Sequence, residues 1–280
     1  MRVSRILGVG ATVLALTLSA AACGGPTNND TGTQSLVDRI RAEKKVTIGI
    51  KFDQPGLGLK TGDMYSGFDV DVARYIAGKL GVPEDNITFK QSPSAQREDM
   101  IAKGDVDLVI ATYTINDQRK AKVGFAGPYF VAGQDLLVRS SNTTITGPDK
   151  LNGKKICSVA GSTSAQTIKS KFSTSVGLQQ YGGYSECITG LLNGAVDALS
   201  TDDIILAGYA AINPGELKVI GKPFTTENYG IGFKRDDTKT RQALNGYIQE
   251  MEQDGSWKAA LMKNFGAGYK VPQPPAITEK

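Results

Sequence analysis

Short apolar runs and amphipathic stretches alternate along most of the chain. Runs rich in Val, Ile and Leu indicate strands, and the predicted strands are 45–52, 86–92, 106–112, 134–140, 154–161, 177–183, 196–202, 216–224 and 228–234. Apolar residues three or four positions apart indicate helices, and the predicted helices are 68–80, 95–104, 164–172, 185–194 and 237–265. This alternation predicts an α/β protein with largely parallel sheets.

The helix predicted at 68–80 begins with two carboxylates. Its apolar stripe recurs every four residues and consists of Phe68, Val72, Ile76 and Leu80. Asp69 and Asp71 lie in the first turn, where the helix dipole favours negative charge by about 0.3–1 kcal/mol. A pair of catalytic carboxylates is the competing hypothesis. We favour a helix start and expect neither aspartate to touch a ligand.

Two segments of the chain share one pattern. Residues 104–112 (GDVDLVIAT) and 194–202 (GAVDALSTD) each contain a Gly, a Val-Asp pair two residues later and an apolar strand. A helix precedes each segment and a strand precedes each helix, which favours an internal duplication. Ligands of open α/β sheets bind beyond the carboxyl ends of the strands. If each segment belongs to its own lobe, Thr112 and Asp202 end equivalent strands and face each other across a cleft.

Polar residues near these strand ends suit a free α-amino acid. Thr112 and Thr114 offer hydroxyls, and the guanidinium of Arg119 suits a carboxylate. Residues 160–166 (AGSTSAQ) form a turn at a predicted helix start, where free N–H groups attract an anion. Asp202 can pair with an ammonium. The alternatives are ordinary helix caps and a solvated arginine. Together these groups predict a site for a carboxylate and an ammonium on one carbon.

The composition argues against catalysis and against nucleic-acid binding. The chain contains no histidine, which excludes Ser-His and Cys-His triads, histidine bases and the commonest zinc ligand. No glycine-rich phosphate loop lies in a strand-to-helix context. The net charge of +4 falls to +2 if the segment containing Arg2 and Arg5 is removed, and no basic run suggests nucleic acid. We therefore predict no enzymatic activity, no cofactor and no bound metal.

The N-terminal sequence predicts export. Arg2 and Arg5 precede an uncharged apolar run that ends at small residues, as in a secretory signal peptide over 1–22. The run is too short for a comfortable membrane span. The cysteine after Ser-Ala-Ala-Ala resembles a bacterial lipoprotein box, which implies that Cys23 becomes the lipidated N-terminus. Ordinary cleavage that leaves a free thiol is the alternative. The polar residues of 23–36 predict a flexible tether.

Two further cysteines suggest a disulfide. Cys157 and Cys187 remain as an even pair in an oxidising compartment if Cys23 is lipidated. Two buried thiols are the alternative. A bridge between them would close a loop of about 30 residues and stabilise the fold by roughly 3–4 kcal/mol in the chain-entropy model.

Several motifs together resemble one family. Residues 67–80 (GFDVDVARYIAGKL) match the signature of the family 3 extracellular solute-binding proteins, the polar amino-acid receptors of ABC importers. Residues 114–130 (TINDQRKAKVGFAGPYF) resemble the family's Thr…Arg…Phe…Pro-Tyr segment. The two Val-Asp strands and the Gly-Ser-Thr turn fall in family order, so the resemblance covers roughly 36–270. It implies the two-lobed type II periplasmic-binding-protein fold, with two mixed sheets flanked by helices, a hinge and an interlobe cleft.

The resemblance also implies how the chain divides between the lobes. The implied segments are a discontinuous lobe 1 over 37–136 and 226–270, lobe 2 over 137–225, linkers at 136–140 and 220–227, and a C-terminal tail over 271–280.

Carried over by position, the resemblance assigns the α-carboxylate to one set of residues. Arg119 would bind this carboxylate, assisted by Thr114 and by the backbone N–H groups of Ser162 and Thr163. The four residues come from both predicted lobes, so a bound carboxylate would bridge the cleft.

The ligand's other charged groups have their own partners. The resemblance implies that Asp202 binds the α-ammonium with help from the Thr112 carbonyl. Lys51 and Arg97, with Ser94 beside them, would neutralise a second carboxylate on the ligand side chain. A carboxamide would leave that cationic pocket unpaired at a cost of about 2–5 kcal/mol. For Arg97 the alternative is a solvated arginine at a helix start.

These residues predict the substrate class. SAQR at 94–97 resembles the Ser…Arg of glutamate and aspartate receptors, and KFDQPGLGLK at 51–60 is similar to the glutamate-binding lipoproteins of high-GC Gram-positive bacteria. Tyr184 is a further pocket candidate. We expect a monomeric receptor for glutamate or aspartate, lipid-anchored on the extracellular face of the membrane, that delivers its ligand to an ABC permease.

Three alternatives remain open at this point. A receptor of the glutamine or asparagine type differs only in the side-chain pocket. A ligand-sensing module that signals to a membrane kinase would use the same fold. An amino-acid dehydratase of this fold would use Asp202 or Lys51 as its acid or base, although both have a simpler use as ion-pair partners.

Overall fold

A computed structural model describes residues 34–172 and 174–280. The helices are α1 (Leu36–Glu43), α2 (Phe68–Lys79), α3 (Arg97–Lys103), α4 (Asp117–Lys120), α5 (Thr163–Phe172), α6 (Tyr184–Leu192), α7 (Asp203–Ile212), α8 (Thr238–Gln253) and α9 (Ser256–Phe265). The strands are β1 (Val46–Ile50), β2 (Asp53–Gln54), β3 (Gly58–Thr61), β4 (Met64–Ser66), β5 (Ile87–Gln91), β6 (Leu108–Val109), β7 (Val123–Ala132), β8 (Gln134–Arg139), β9 (Lys155–Val159), β10 (Gly177–Tyr181), β11 (Ala198–Asp202), β12 (Leu217–Val219) and β13 (Glu227–Lys234).

The predictions for the N-terminus concern residues that the structure does not describe. The signal peptide at 1–22, the lipidation of Cys23 and most of the tether lie outside the described residues. Within the part of the chain that is described, no helix combines the length and apolarity needed to cross a membrane.

Lobe 1 is built on a mixed sheet with the strand order β5-β1-β6-β13-β7. Strand β1 runs parallel to β5 and β6, whereas β13 runs antiparallel to β6 and β7. The helices α2, α3, α4 and α8 pack against this sheet. Strand β7 lies at the edge of this sheet, yet it is buried along nearly its whole length, with α4 and α8 packed against it.

Lobe 2 repeats the same arrangement with the order β10-β9-β11-β8-β12. Strand β9 runs parallel to β10 and β11, and β8 runs antiparallel to β11 and β12. The helices α5, α6 and α7 cover this sheet. The mixed sheets implied by the family resemblance are therefore confirmed. The largely parallel sheets expected from the alternation are not, because each sheet takes in a strand that enters from the opposite lobe.

The two Val-Asp segments have one structural role in common. Asp107 donates its N–H to Thr47 O at 2.8 Å, and its carboxylate accepts from Thr47 N at 2.8 Å. Asp197 makes the same pair of bonds with Lys155, at 2.7 and 2.8 Å. Each aspartate thus joins the central strand of its lobe to the neighbouring parallel strand, β1 in lobe 1 and β9 in lobe 2. This equivalence supports the duplication inferred from the sequence.

Some elements differ from their predicted extent. The strand predicted at 106–112 pairs only over Leu108–Val109, and Thr112 beyond it has a left-handed φ of 46°. The single helix predicted at 237–265 is two helices, because Gly255 has a φ of 82° that interrupts the helical backbone. The pattern did not predict α1, α4, α7, β7 or the small antiparallel sheet β2-β3-β4.

Helix α2 begins at Phe68 as predicted, and its apolar stripe is buried. Its two aspartates have different surroundings. Asp71 accepts from Lys263 Nζ at 2.8 Å and Asn264 Nδ2 at 2.7 Å, which ties α2 to α9. Asp69 is completely buried and faces the cleft side of lobe 1. Both aspartates thus lie in the first turn of α2, as predicted, and Asp69 also makes buried hydrogen bonds that the sequence did not predict.

Two connections pass between the lobes, one at Gly133 and one at 220–226. They lie side by side, since Gln134 N donates to Thr225 Oγ1 at 3.0 Å. A Cβ atom at Gly133 would lie 2.7 Å from Pro223 Cβ, so a glycine is needed for this approach. At the first connection the chain passes from β7 to β8 within one residue.

The C-terminal segment 271–280 lies along lobe 1. The N–H groups of Thr278 and Glu279 both donate to Gly127 O, at 3.0 and 3.1 Å. Asn245 on α8 accepts from Gly127 N at 2.8 Å and donates to Glu279 O at 2.5 Å. The segment is thus fixed to β7 by backbone hydrogen bonds and to α8 by the side chain of Asn245.

The predicted disulfide is confirmed. Cys157 on β9 and Cys187 on α6 are bonded, with their Cα atoms 5.6 Å apart. Both residues are completely buried. The bridge fixes α6 to the sheet of lobe 2.

Candidate functional site

The carboxyl ends of the two central strands meet at an interlobe cleft. Strand β6 leads to Thr112 in lobe 1, and β11 ends at Asp202 in lobe 2. The lobes contact each other here. Tyr229 Oη of lobe 1 donates to Asp202 Oδ2 at 2.5 Å. Nine of the ten predicted ligand residues are buried, namely Lys51, Ser94, Arg97, Thr112, Thr114, Arg119, Ser162, Tyr184 and Asp202. The tenth, Thr163, is partly buried.

Lys51 follows the end of β1 and points into lobe 1. Its ammonium donates to Ser94 Oγ at 2.8 Å, and the side chain is only 5% exposed. Burial is the main cause that holds the pKa of Lys51 well below its ordinary value, and the positive charge of Arg97 acts in the same direction. A ligand carboxylate beside Lys51 would reverse this shift by favouring the ammonium form.

Arg97 is the first residue of α3 and is 2% exposed, so it is not a solvated arginine at a helix start. Its Nη1 donates to Ala111 O at 2.9 Å and to Thr112 O at 3.3 Å. Its Nε is buried without a hydrogen-bond partner among the described residues. The same part of the chain pairs neither Arg97 nor Lys51 with a carboxylate. Both side chains therefore donate hydrogen bonds only to neutral oxygen atoms.

Tyr113 lies between two guanidinium groups. Its ring centroid is 4.2 Å from Arg97 Cζ and 5.1 Å from Arg119 Cζ, within the range of a cation–π contact. The ring also packs edge-on against Phe125. A Cβ atom at Gly232 would lie 2.7 Å from the ring, so the close packing of this side chain depends on that glycine. Tyr113 thus fixes the spacing of the two arginines.

Arg119 is held by groups of both lobes. Its Nη1 donates to Thr114 O at 2.7 Å in lobe 1, and its Nη2 donates to Gly161 O at 3.1 Å in lobe 2. Its Nε forms an ion pair with Glu98 Oε1 at 3.3 Å. Burial, followed by the charge of Arg97, lowers the pKa of Arg119 to about 10. The guanidinium remains charged and oriented at the cleft.

The backbone at Thr112 is held in an unusual conformation by a buried carboxylate. Thr112 N donates to Asp69 Oδ2 at 2.9 Å, and Tyr129 Oη donates to Asp69 Oδ1 at 2.8 Å. A φ of 46° is uncommon for threonine and persists only where surrounding contacts impose it. Burial raises the pKa of Asp69 to about 6. Asp69 therefore determines where the predicted ligand group, the Thr112 carbonyl, points.

The Gly-Ser-Thr turn has two functions in the structure. Ser162 Oγ accepts from Ala165 N at 3.0 Å, so this side chain caps α5. The N–H of Ser162, expected to assist carboxylate binding, donates to Val159 O at 3.1 Å. Thr163 Oγ1 donates to Glu227 Oε2 of lobe 1 at 2.9 Å. The helix-cap alternative is thus correct for the Ser162 side chain.

Asp202 lies at the junction of β11 and α7 and is 4% exposed. Besides the Tyr229 hydroxyl, its carboxylate accepts from Ser164 Oγ at 3.4 Å. Burial and then the negative charge of Glu227 raise its pKa to about 7. A ligand ammonium would stabilise the charged form of this carboxylate.

Tyr184 lines a cavity of about 420 Å³ beside Lys51. Its hydroxyl accepts from Thr201 Oγ1 at 2.6 Å. The lining of this cavity comes from both lobes and consists of Lys51, Phe52, Asp53, Gln91, Ser92, Pro93, Gln96, Val159 and residues 182–186. The position of Tyr184 thus fits a residue near the ligand side chain rather than near its α-carbon.

Four further residues of the cleft were not predicted from the sequence as part of the site. Asp69, Tyr113, Glu227 and Tyr229 are all buried and contact predicted ligand residues. For Asp69 the signal was present, since it lies in the family signature, yet the position fits a helix start equally well. Tyr113 and Tyr229 sit in apolar strands and gave no signal beyond core packing. Glu227 could have been noted as a carboxylate at the predicted hinge.

Comparison with known proteins agrees with this architecture. Residues 46–267 match the bacterial extracellular solute-binding proteins, family 3, and the chain belongs to this family. The glutamate-binding protein GluB of Corynebacterium efficiens is 42% identical over 276 residues, covering 94% of each chain. The ABC transporter glutamine-binding protein GlnH of Bacillus subtilis is 36% identical over 250 residues, covering 87% of this chain and 90% of the relative. An ancestral arginine-binding protein bound to glutamine superimposes with a TM-score of 0.74 and 34% identity, over 80% of this chain and 98% of that one.

The family defines what class of protein this is. Its members are binding receptors, so the chain is an amino-acid solute-binding protein of the ABC transporter class and not an enzyme. It acts with a permease that receives the amino acid. Within the described residues, no group of three or more Asp, Glu or Cys side chains is placed to hold a metal ion.

Proposed function

We propose that the chain is a substrate-binding lipoprotein that captures glutamate between two closing lobes and delivers it to an ABC permease. One observation carries the choice of glutamate. Lys51 and Arg97 are buried in the cleft with only neutral oxygen partners in the described chain. Two buried cations without an anion are costly, and a side-chain carboxylate between them would offset that cost.

The other groups of the cleft fit the α-carbon. Arg119 binds the α-carboxylate. Its guanidinium gives up hydrogen bonds to neutral backbone carbonyls and forms a stronger, bidentate pair with the charged carboxylate. Asp202 binds the α-ammonium, with the Thr112 carbonyl beside it. Because Arg119 and Asp202 belong to different lobes, the ligand joins the lobes and favours closure through its greater affinity for the closed state.

The similarity to named relatives supports the same substrate. Two relatives named glutamate-binding protein GluB, from Corynebacterium efficiens and Corynebacterium glutamicum, are 42% and 43% identical. The glutamine-binding relative, at 36% identity, makes glutamine the main competing ligand. Aspartate is the shorter dicarboxylate and would reach Lys51 and Arg97 less well.

The membrane anchor is a separate part of the proposal. We expect cleavage after Ala22, lipidation of Cys23 and a monomeric receptor held at the extracellular face of the membrane. Labelling of the expressed protein with a fatty-acid analogue would show lipid on the wild type and none on Cys23→Ala. Equal labelling of the two proteins would contradict the anchor and leave the ligand assignment untouched.

Calorimetry with glutamate, aspartate, glutamine and asparagine tests the ligand assignment. We expect glutamate to bind most tightly, and glutamine at least about thirtyfold more weakly because it leaves the two cations unpaired. Equal affinity for glutamine and glutamate would contradict the assignment and favour an amide receptor.

A further inference from the structure

Helix α6 of lobe 2 is capped by a residue of lobe 1. Its N-cap residue is Gly183, which has no side chain to accept from the first turn. The N–H groups of Tyr184 and Ser185 donate instead to Asp53 Oδ2, at 2.7 and 3.3 Å. Glu186 satisfies the preceding N–H groups, at 182 and 183, within lobe 2. Lobe 1 thus supplies, across the cleft, the hydrogen-bond acceptor that the first turn of α6 lacks within lobe 2.

The surface of lobe 2 is shaped to receive this segment of lobe 1. A Cβ atom at Gly183 would lie 2.6 Å from Asp53 Oδ2, and one at Gly208 would lie 2.1 Å from Pro55 O. The Tyr209 hydroxyl on α7 donates to the backbone oxygen of Asp53. Glycines at both points of contact allow residues 53–55 to approach the two helices closely.

We propose that Asp53 is an interlobe clasp, a positioning residue that caps α6 only when the lobes are together. With the lobes apart, the N–H groups of Tyr184 and Ser185 face water and the carboxylate loses both bonds. The clasp therefore favours the closed state and increases the affinity for any amino acid that closes the cleft. It rests on the closure proposed above, but not on glutamate being the ligand.

The carboxylate of Asp53 could act in a second way, through its charge on the nearby Lys51. The two roles make different predictions. A charge effect would alter glutamate binding more than glutamine binding and would be lost in Asp53→Asn. A cap depends on an oxygen acceptor, and asparagine is as good an N-cap as aspartate.

The test compares Asp53→Ala, Asp53→Asn and the control Asp63→Ala, which removes the same charge from an exposed turn of the same small sheet, between β3 and β4. Calorimetry with glutamate and glutamine should give fivefold to thirtyfold weaker binding of both ligands to Asp53→Ala, roughly the effect of losing an N-cap. The ratio of the two affinities should not change. The affinities of Asp53→Asn should stay within about threefold of those of the wild type. Asp63→Ala should bind both ligands as tightly as the wild type.

The clasp is overturned if Asp53→Ala binds like the wild type, if Asp53→Asn is as weak as Asp53→Ala, or if the ratio of affinities changes. These results are separate from the ligand assignment. A wild type that prefers glutamine would contradict the proposed substrate, whereas the clasp would still predict weaker glutamine binding to Asp53→Ala.

A double-mutant cycle with Gly183→Ser sharpens the test. Serine would cap α6 from within lobe 2 and would crowd Asp53, so this variant should bind ligand more weakly in the wild-type background. With Asp53→Ala, the crowding is absent and Gly183→Ser should have little effect. Interacting residues give such non-additive changes. Additive effects of the two substitutions would overturn the clasp.

Discussion

The two lobes contribute opposite charges to one cleft. Lobe 1 provides the cations Lys51, Arg97 and Arg119, and lobe 2 provides the carboxylate of Asp202. In the proposed complex, lobe 1 pairs with the ligand's carboxylates and lobe 2 with its ammonium. Since every amino acid has the ammonium, lobe 2 recognises the class, whereas the side-chain pocket of lobe 1 selects within it.

The charges on both sides are unfavourable before a ligand binds. Burial lowers the pKa of Lys51 in lobe 1 and raises the pKa of Asp202 in lobe 2 to about 7. A ligand of matching charge would relieve both shifts. The comparison thus teaches that each lobe holds a buried group whose charged form is unfavourable until a ligand of opposite charge binds beside it.

The largest expected effect is that of Arg119→Ala. It removes the only group that we assign to the α-carboxylate as an ion-pair partner, and a lost buried pair costs about 2–5 kcal/mol. Calorimetry should detect no binding of any amino acid. Lys120→Ala, on the same short helix but more exposed, is the control and should bind normally. Retained micromolar affinity in Arg119→Ala would show that the carboxylate site lies elsewhere.

Asp202→Asn should separate binding from stability. Loss of the ammonium partner should weaken binding at least about hundredfold. The ligand-free protein should become more stable at pH 8, on the order of 3 kcal/mol, because the buried carboxylate with its raised pKa no longer has to ionise. This gain should vanish near pH 4, where the native carboxyl is protonated. Chemical denaturation at both pH values measures it, and a destabilised variant at pH 8 would contradict the assignment.

Ligand affinity should depend on pH through the same carboxylate. The Asp202 pKa of about 7 must fall when an ammonium binds, so binding releases a proton and affinity decreases as pH falls below 7. Between pH 7.5 and 5.5 we expect roughly a tenfold loss for glutamine. A glutamine affinity independent of pH would be inconsistent with this account.

The smallest expected effect is at Tyr113. Tyr113→Leu removes the ring between Arg97 and Arg119 and should weaken glutamate binding about threefold to tenfold, from cation–π contacts of about 0.5–2 kcal/mol. Tyr113→Phe keeps the ring and removes a hydroxyl that is buried without a partner in the described chain, so it should bind normally. Equal weakening by both substitutions would assign the effect to the hydroxyl instead.

Local pattern was enough for much of the fold. The alternation of strands and helices, the paired Val-Asp segments and the Cys157–Cys187 bridge all followed from spacing and composition. The break at Gly255 and the short pairing of β6 did not, because they depend on single backbone angles. The mixed sheets were predicted from the family resemblance and not from the periodicity of the sequence.

The candidate site was harder to predict where long-range contacts decide the role. Asp69 holds Thr112 over a separation of 43 residues, and Asp53 reaches Tyr184 over 131. Neither carboxylate differs in its local pattern from an ordinary helix-start or turn residue. Arg119 was proposed from its place near a strand end, and Arg97 from the resemblance of residues 94–97 to acidic amino-acid receptors. Their exact roles stay predictions until binding is measured.

The ratio of glutamate to glutamine affinity in Arg97→Gln tests the central claim most directly. Lys103→Gln is the matched control, since it removes one positive charge from the exposed end of the same helix. We predict that the wild type and Lys103→Gln prefer glutamate at least about thirtyfold, and that Arg97→Gln loses most of this preference by weaker glutamate binding. An unchanged ratio in a folded Arg97→Gln variant would contradict the claim that lobe 1 selects the ligand through its buried cations.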